Sequence, residues 1–173
     1  MQEGGFCPDN FSTMHSKTLV VGAVILGISA CESFTEVLGP IPHTAALSGA
    51  AVRPSAVTTD AVGQLNATLD QETLQWSYTV GWEALSSVPT GVHLHGPADA
   101  SGVAEILAEL NTIDTEMAPT SSASGTIDLT AATITPTVSG DSLRVLLNAN
   151  QLYVDVHTEN NTNGEIRGQL VRH

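Results

Sequence analysis

Val92-His93-Leu94-His95-Gly96-Pro97-Ala98, and much further along Tyr153-Val154-Asp155-Val156-His157-Thr158 running on to Gly164-Glu165-Ile166-Arg167-Gly168-Gln169-Leu170, are the stretches that decide the fold. Each alternates an apolar residue with a polar or ionisable one. Successive side chains of an extended strand point to opposite faces, so this period of two sends the histidines to one face and the valines and leucines to the other. The same pattern recurs outward from these stretches. Leu65, Ala67 and Leu69 alternate in one run, and Leu74, Trp76, Tyr78, Val80 and Trp82 in the next, with Asp70-Gln71-Glu72-Thr73 between them as a hairpin turn. Gly125 to Thr130 restarts a strand after a polar surface loop over Thr112 to Ser124, and Glu159 to Gly164 forms the last hairpin turn. Residues 103–110 and 143–150 fit a strand or a helix equally well by period. About seven or eight short strands between residues 45 and 171 predict an all-β, antiparallel two-sheet sandwich with Greek-key-like connections. The rings of Trp76, Tyr78 and Trp82 are expected in its core rather than on a sugar-stacking surface.

The 173 residues suit one domain, large enough to bury a core without disulfide staples. Eighteen acidic residues face five basic ones, for a net charge of −13. Such a surface repels phosphate backbones and anionic headgroups, which excludes nucleic acid as a partner. The chain has no phosphate-cradling glycine loop and no spacing that marks a Ser-His-Asp triad or paired catalytic carboxylates, so a hydrolase has no support.

Residues 19–28 form an apolar run preceded by Lys17 and followed by Ser29 and Ala30. The run is too short to span a bilayer, which takes about 20 residues, and the right size for a signal-peptide core. Ile28-Ser29-Ala30-Cys31 resembles a bacterial lipobox, which implies cleavage before Cys31 and its acylation. Residues 1–13 carry no Lys or Arg, so translation is expected to start at Met14. The chain therefore reads as a signal segment over 1–30, a lipidated Cys31 with a Gly/Pro-containing linker over 31–44, and a domain over 45–171. His43 lies in the linker and is expected to be solvated. The domain would be exported and tethered to the cell or outer membrane, facing the periplasm or the cell exterior, and would contain no free thiol.

His93 and His95, two residues apart in a strand, have Cα atoms about 6.5–7 Å apart on one face, close enough for both rings to meet one ion. His157 shares a face with Asp155 and Tyr153, and Glu165 and Arg167 alternate with Ile166 across the last hairpin. If these faces coincide, His93, His95 and His157 form a metal site, Asp155 and Glu165 support it by accepting ring N–H groups, and Arg167 is a fixed cation that guides small anions. Three imidazoles suit copper, with zinc as the alternative. The competing reading has the rings hydrogen-bonding loop carbonyls while Arg167 pairs with Asp155 or Glu165, a contact typically contributing under about 1 kcal/mol.

The pattern His93-x-His95-Gly96-Pro97-Ala98, then Leu152-Tyr153-Val154-x-Val156-His157-Thr158, then Gly164-Glu165-Ile166-Arg167-Gly168-Gln169-Leu170 resembles the chordin-type CHRD domain. The resemblance extends upstream through Ala46-Leu47-Ser48-Gly49, Gly63-Gln64-Leu65 and Leu74-Gln75-Trp76. It implies a strand over 103–110, a short helix near 143–150, and a binding module with an extracellular protein ligand. A more distant resemblance is to copper-zinc superoxide dismutase, a β-sandwich that takes copper ligands from a His-x-His strand and a later strand and keeps an arginine near the metal. On that comparison His93, His95 and His157 would be copper ligands, Arg167 the anion guide, and the protein a copper-dependent oxidoreductase. A bridging histidine, a zinc loop and the disulfide of that family have no counterpart in this sequence. A purely structural or protein-interaction domain without metal is the third reading.

Overall fold

The computed structural model describes residues 38–110, 118–136 and 138–173. The expected signal segment, Met14, Cys31 and most of the expected linker lie outside the described residues. Among the described residues nine strands form one antiparallel sheet: β1 (Ile41–Ser48), β2 (Val62–Leu69), β3 (Gln75–Glu83), β4 (Pro89–His95), β5 (Ile106–Glu109), β6 (Ser121–Asp128), β7 (Tyr153–Thr158), β8 (Ile166–Gln169) and β9 (Val171–Arg172). The spatial order is β5-β4-β7-β8-β1-β2-β3-β6, with β9 also paired to β1. Among the described residues a single α-helix, α1 (Gly140–Asn148), joins β6 to β7.

The sheet curls until its two ends face each other. Tyr78 of β3 donates its hydroxyl to the carbonyl of Leu110, just past β5, at 3.1 Å, although these strands lie near opposite ends of the order. The alternating apolar faces make this possible: Leu65, Trp76 and Val80 from one half and Val92, Leu94, Val154, Val156 and Ile166 from the other are all wholly buried in one continuous core. The result is the all-β sandwich that the period of two predicts. The halves join along β1, where β8 sets Arg167 opposite Ser48 and β9 sets Val171 and Arg172 opposite Thr44 and His43. Gly168 permits that approach, since a Cβ on it would lie 2.5 Å from the Ala46 carbonyl oxygen.

The hairpin at Asp70 forms as expected, with the Asp70 carboxylate accepting from the backbone N–H of Glu72 and Thr73. Trp76, Tyr78 and Trp82 are core residues. The two ambiguous runs resolve as the family resemblance implied, residues 106–109 as a strand and 140–148 as the helix. Ser139 caps α1 by accepting from the Ser142 N–H, and Leu143 and Leu147 anchor it to the core.

Two expectations need correction. The strand predicted from Gly125 begins at Ser121, because Ser121 to Ser124 pair in register with Trp82 to Thr79. The first strand opens at Ile41, inside the stretch read as linker, and His43 is wholly buried, not solvated. Pro42 does not prevent this. Its side chain points outward while Ile41, His43, Ala45 and Leu47 point in, a period of two that Gly39 and Pro40 disguised as tether.

Candidate metal centre

The site forms on the outer face of β4 and β7, the face opposite the core. Antiparallel pairing sets Gly91 opposite His157, His93 opposite Asp155 and His95 opposite Tyr153. One strand further, Asp155 lies opposite Arg167 and Tyr153 opposite Gln169. Because alternation is kept through the whole register, every one of these side chains emerges on the same side. His93, His95, Asp155 and His157 each offer one ligand atom, all within 4.8 Å of one another.

The hydrogen bonds around the rings are informative. His95 Nδ1 lies 2.9 Å from the Ala104 carbonyl and His157 Nδ1 2.8 Å from the Thr162 carbonyl. A carbonyl only accepts, so in each neutral ring Nδ1 carries the hydrogen and Nε2 is left with a lone pair. Both Nε2 atoms then point at one carboxylate oxygen, Asp155 Oδ1, at 3.1 Å from His95 and 2.9 Å from His157. Three electron-rich atoms facing one another in a buried place repel unless a cation lies among them, either a proton or a metal ion. The competing reading, rings that merely hold loop carbonyls, accounts for Nδ1 and accounts for the Nε2 arrangement only with a second proton on a ring. His93 adds a further donor atom, since its Nδ1 is buried without a hydrogen-bond partner.

Burial disfavours charge on His157, but the hydrogen bond and charge of Asp155 outweigh it and hold its pKa above the ordinary histidine value. Burial would raise the pKa of Asp155, and the hydrogen bonds from His157 and His95 more than reverse this. His93 is pushed below the ordinary value, first by burial and then by the charge of His157.

Sequence reasoning left Gly91 out of the site, and the structure shows why it belongs. A Cβ on Gly91 would sit 2.6 Å from His93 Nε2, so the ring lies over the glycine. Its one sequence signal was the gap in the alternation, a residue without a side chain where a polar one was due. Asp155, expected as an outer support, stands inside the donor set instead.

Glu165 is displaced from its expected place. Its carboxylate is buried among Thr59, Ser86 and Thr158, accepting from three hydroxyls and the Ser86 N–H at 2.7–2.9 Å. The alternation used to place it does not reach it, because β8 begins only at Ile166. Arg167 keeps the expected face but pairs with neither Asp155 nor Glu165. Its guanidinium lies 3.6 Å from the centroid of the Tyr153 ring and donates to the Asp99 carbonyl. Tyr153 in turn stacks on His95, with ring centroids 4.7 Å apart and planes 5° from parallel.

The donor set fits a transition metal. Ligands about 2.0–2.1 Å from an ion are spread by no more than roughly 4 Å, so these four need to close by less than about 1 Å. Imidazole nitrogens with one carboxylate suit zinc and copper, and the Nδ1 bonds of His95 and His157 to carbonyls fix the tautomer that a ligand needs.

A family model, the CHRD domain, matches residues 43–170. Among curated proteins and solved structures none matches the chain. The match begins at the buried His43 and ends at Leu170, the last residue of the core, and covers both histidine strands. The chain belongs to the CHRD domain family.

Proposed function

We propose that this protein is an extracytoplasmic, membrane-anchored binding module that holds one transition-metal ion, copper in preference to zinc, through His93, His95 and His157 with Asp155 as a fourth donor. The observation that carries this reading is the pair of Nε2 atoms converging on Asp155 Oδ1. Copper is favoured by the imidazole-rich set and by its place at the top of the divalent affinity order. The membrane anchor rests on the apolar run before Ile28-Ser29-Ala30-Cys31 and on nothing else; detergent-phase partitioning that Cys31→Ser abolishes checks it.

The test is calorimetric titration of the purified metal-free protein with Cu(II) and, separately, Zn(II) near neutral pH. One Cu(II) binds per chain, and His157→Ala or Asp155→Asn weakens it at least tenfold. Absence of uptake of either metal removes the proposal. Because only neutral imidazole ligates, affinity falls on acidification through the histidine range near about 6.5.

A second reading, a copper-dependent superoxide dismutase-like oxidoreductase, is favoured by one observation: Arg167 lines the same pocket as His95 and His157. Superoxide consumption by the copper-loaded protein tests it.

A further inference from the structure

Five basic residues serve the whole chain of net charge −13, and two of them, Arg53 and Arg167, line one pocket. That pocket, of about 390 Å³, opens onto His95, Asp155 and His157. Arg167 is only 3 % exposed, and its Nη1 is buried with no hydrogen-bond partner. Leaving a guanidinium N–H unmet in a buried place is costly, and here the group is also fixed rather than free to swing away. Tyr153 covers one face of the guanidinium and the Asp99 carbonyl holds Nη2. Arg53 is anchored similarly, its Nη1 donating to the carbonyls of Ala50 and Val52. Both cations are thus held in place by acceptors that carry no full charge.

The opposing charges are those of Asp99 and Asp155. The Asp99 carboxylate is occupied by the Ser101 hydroxyl and the N–H groups of Ser101 and Gly102, and Asp155 Oδ1 by the two histidines. Two fixed cations thus face two carboxylates around the pocket. A divalent ion at the histidines makes it strongly positive, next to a guanidinium with an unused N–H.

The rest of the wall is Tyr153, the polar Asn163 and three apolar residues. Val52, Pro54 and Val103 line the same space. The volume lies within the range of roughly 300–1,000 Å³ usual for small-molecule sites and far exceeds what a two-atom anion occupies. A bare inorganic anion has no use for three apolar walls, whereas an organic acid places its carboxylate on Arg167 and its hydrocarbon against Val52, Pro54 and Val103.

We propose that the pocket binds a small organic carboxylate, its charge met by the guanidinium of Arg167 on the side of the pocket where His95 and His157 lie. This rests on the metal reading above. The ligand class follows from three features acting together: a planar cation suited to carboxylates, a second cation beside it, and apolar side chains at the pocket wall.

The experiment separates the two readings. Full-length protein is first titrated with Cu(II) to fix stoichiometry; no binding at this stage overturns the metal reading. The copper-loaded protein is then titrated with benzoate, acetate and sulfate while the Cu(II) visible absorption and paramagnetic resonance spectra are followed. Benzoate perturbs both spectra and binds at least tenfold more tightly than sulfate, with acetate between them. Arg167→Gln and Arg53→Gln each keep one Cu(II) per chain and weaken benzoate at least tenfold. Arg167→Lys retains the charge, loses the planar fork and weakens benzoate by a smaller factor. If Arg167→Gln loses copper as well, Arg53→Gln, whose side chain is bonded only to its own loop, decides the matter. Copper binding with no benzoate response overturns the carboxylate proposal and leaves the metal reading standing. So does sulfate binding as tightly as benzoate, or benzoate affinity unchanged in Arg53→Gln.

Discussion

His43 and Gly91 behave in opposite ways at the scale of single residues. His43 is fully buried, edge-on to Trp76 at a ring-centroid distance of 6.4 Å, and neither ring nitrogen reaches a hydrogen-bond partner. Burial lowers its pKa, and the nearby Ile41 backbone offsets this only in part. The folded ring therefore resists the proton that the unfolded ring accepts near about pH 6.5, so unfolding takes up protons on the acid side. Stability from this residue is complete above that pH and is lost as pH falls toward the depressed folded value. Replacing the ring with a hydrocarbon of similar shape removes both effects. Denaturant unfolding of His43→Phe at pH 7 and pH 5 gives a smaller difference between the two than the parent, and a gain of about 1 kcal/mol at pH 7 from removing the unpartnered nitrogens. Gly91 matters through what it leaves vacant. In Gly91→Ala the new methyl collides with the tip of His93, a side chain able to swing, so the ring moves instead of the strand. Copper affinity then falls about tenfold with little change in melting temperature, and calorimetry alongside a thermal melt separates these outcomes.

The strands, one scale up, were legible wherever alternation runs unbroken. The valines of β7 and the histidines of β4 fall on the faces that their spacing dictates, and the hairpin at Asp70 has the turn chemistry its composition indicates. Legibility failed at element ends. β1 was hidden by two prolines and a glycine, β6 by serines that resemble loop but pair as strand, and Glu165 was placed by extending β8 one residue too far. That last error has an energetic consequence. Glu165 fastens the loops carrying Thr59 and Ser86 to the end of β7, and its own pKa is depressed because hydrogen bonds from Thr59, Thr158 and Ser86 outweigh the effect of burial. Glu165→Ala strands three hydroxyls and an N–H around a void and costs about 3 kcal/mol, while leaving copper stoichiometry at one. Chemical denaturation with a parallel metal titration reads both numbers. The clamp is also acid-labile: its stabilisation is present above the ordinary carboxylate pKa and declines as pH drops through the depressed one.

For the whole molecule, one sandwich core was predictable from pattern alone, because β1 to β8 each contribute apolar side chains and only mutual burial satisfies them. The order of strands was not. Nothing in the local sequence says that β4 sits beside β7 or that β8 hands over to β1 through a single residue pair. The candidate site inherited this asymmetry: its histidines could be named from spacing, whereas the participation of Asp155, the stack of Arg167 on Tyr153 on His95, and the cover formed by Arg53 and Pro54 depend on neighbours remote in the chain.

The adjacency of β4 and β7 also sets a timetable. Before those strands meet, an ion encounters only His93 and His95, a weak bidentate grip that any short peptide could offer; His157 and Asp155 arrive when a long excursion through β5, β6 and α1 has already closed. On the proposed metal reading, tight loading therefore waits on a non-local contact, and an ion seized tightly is a certificate that β4 and β7 have met.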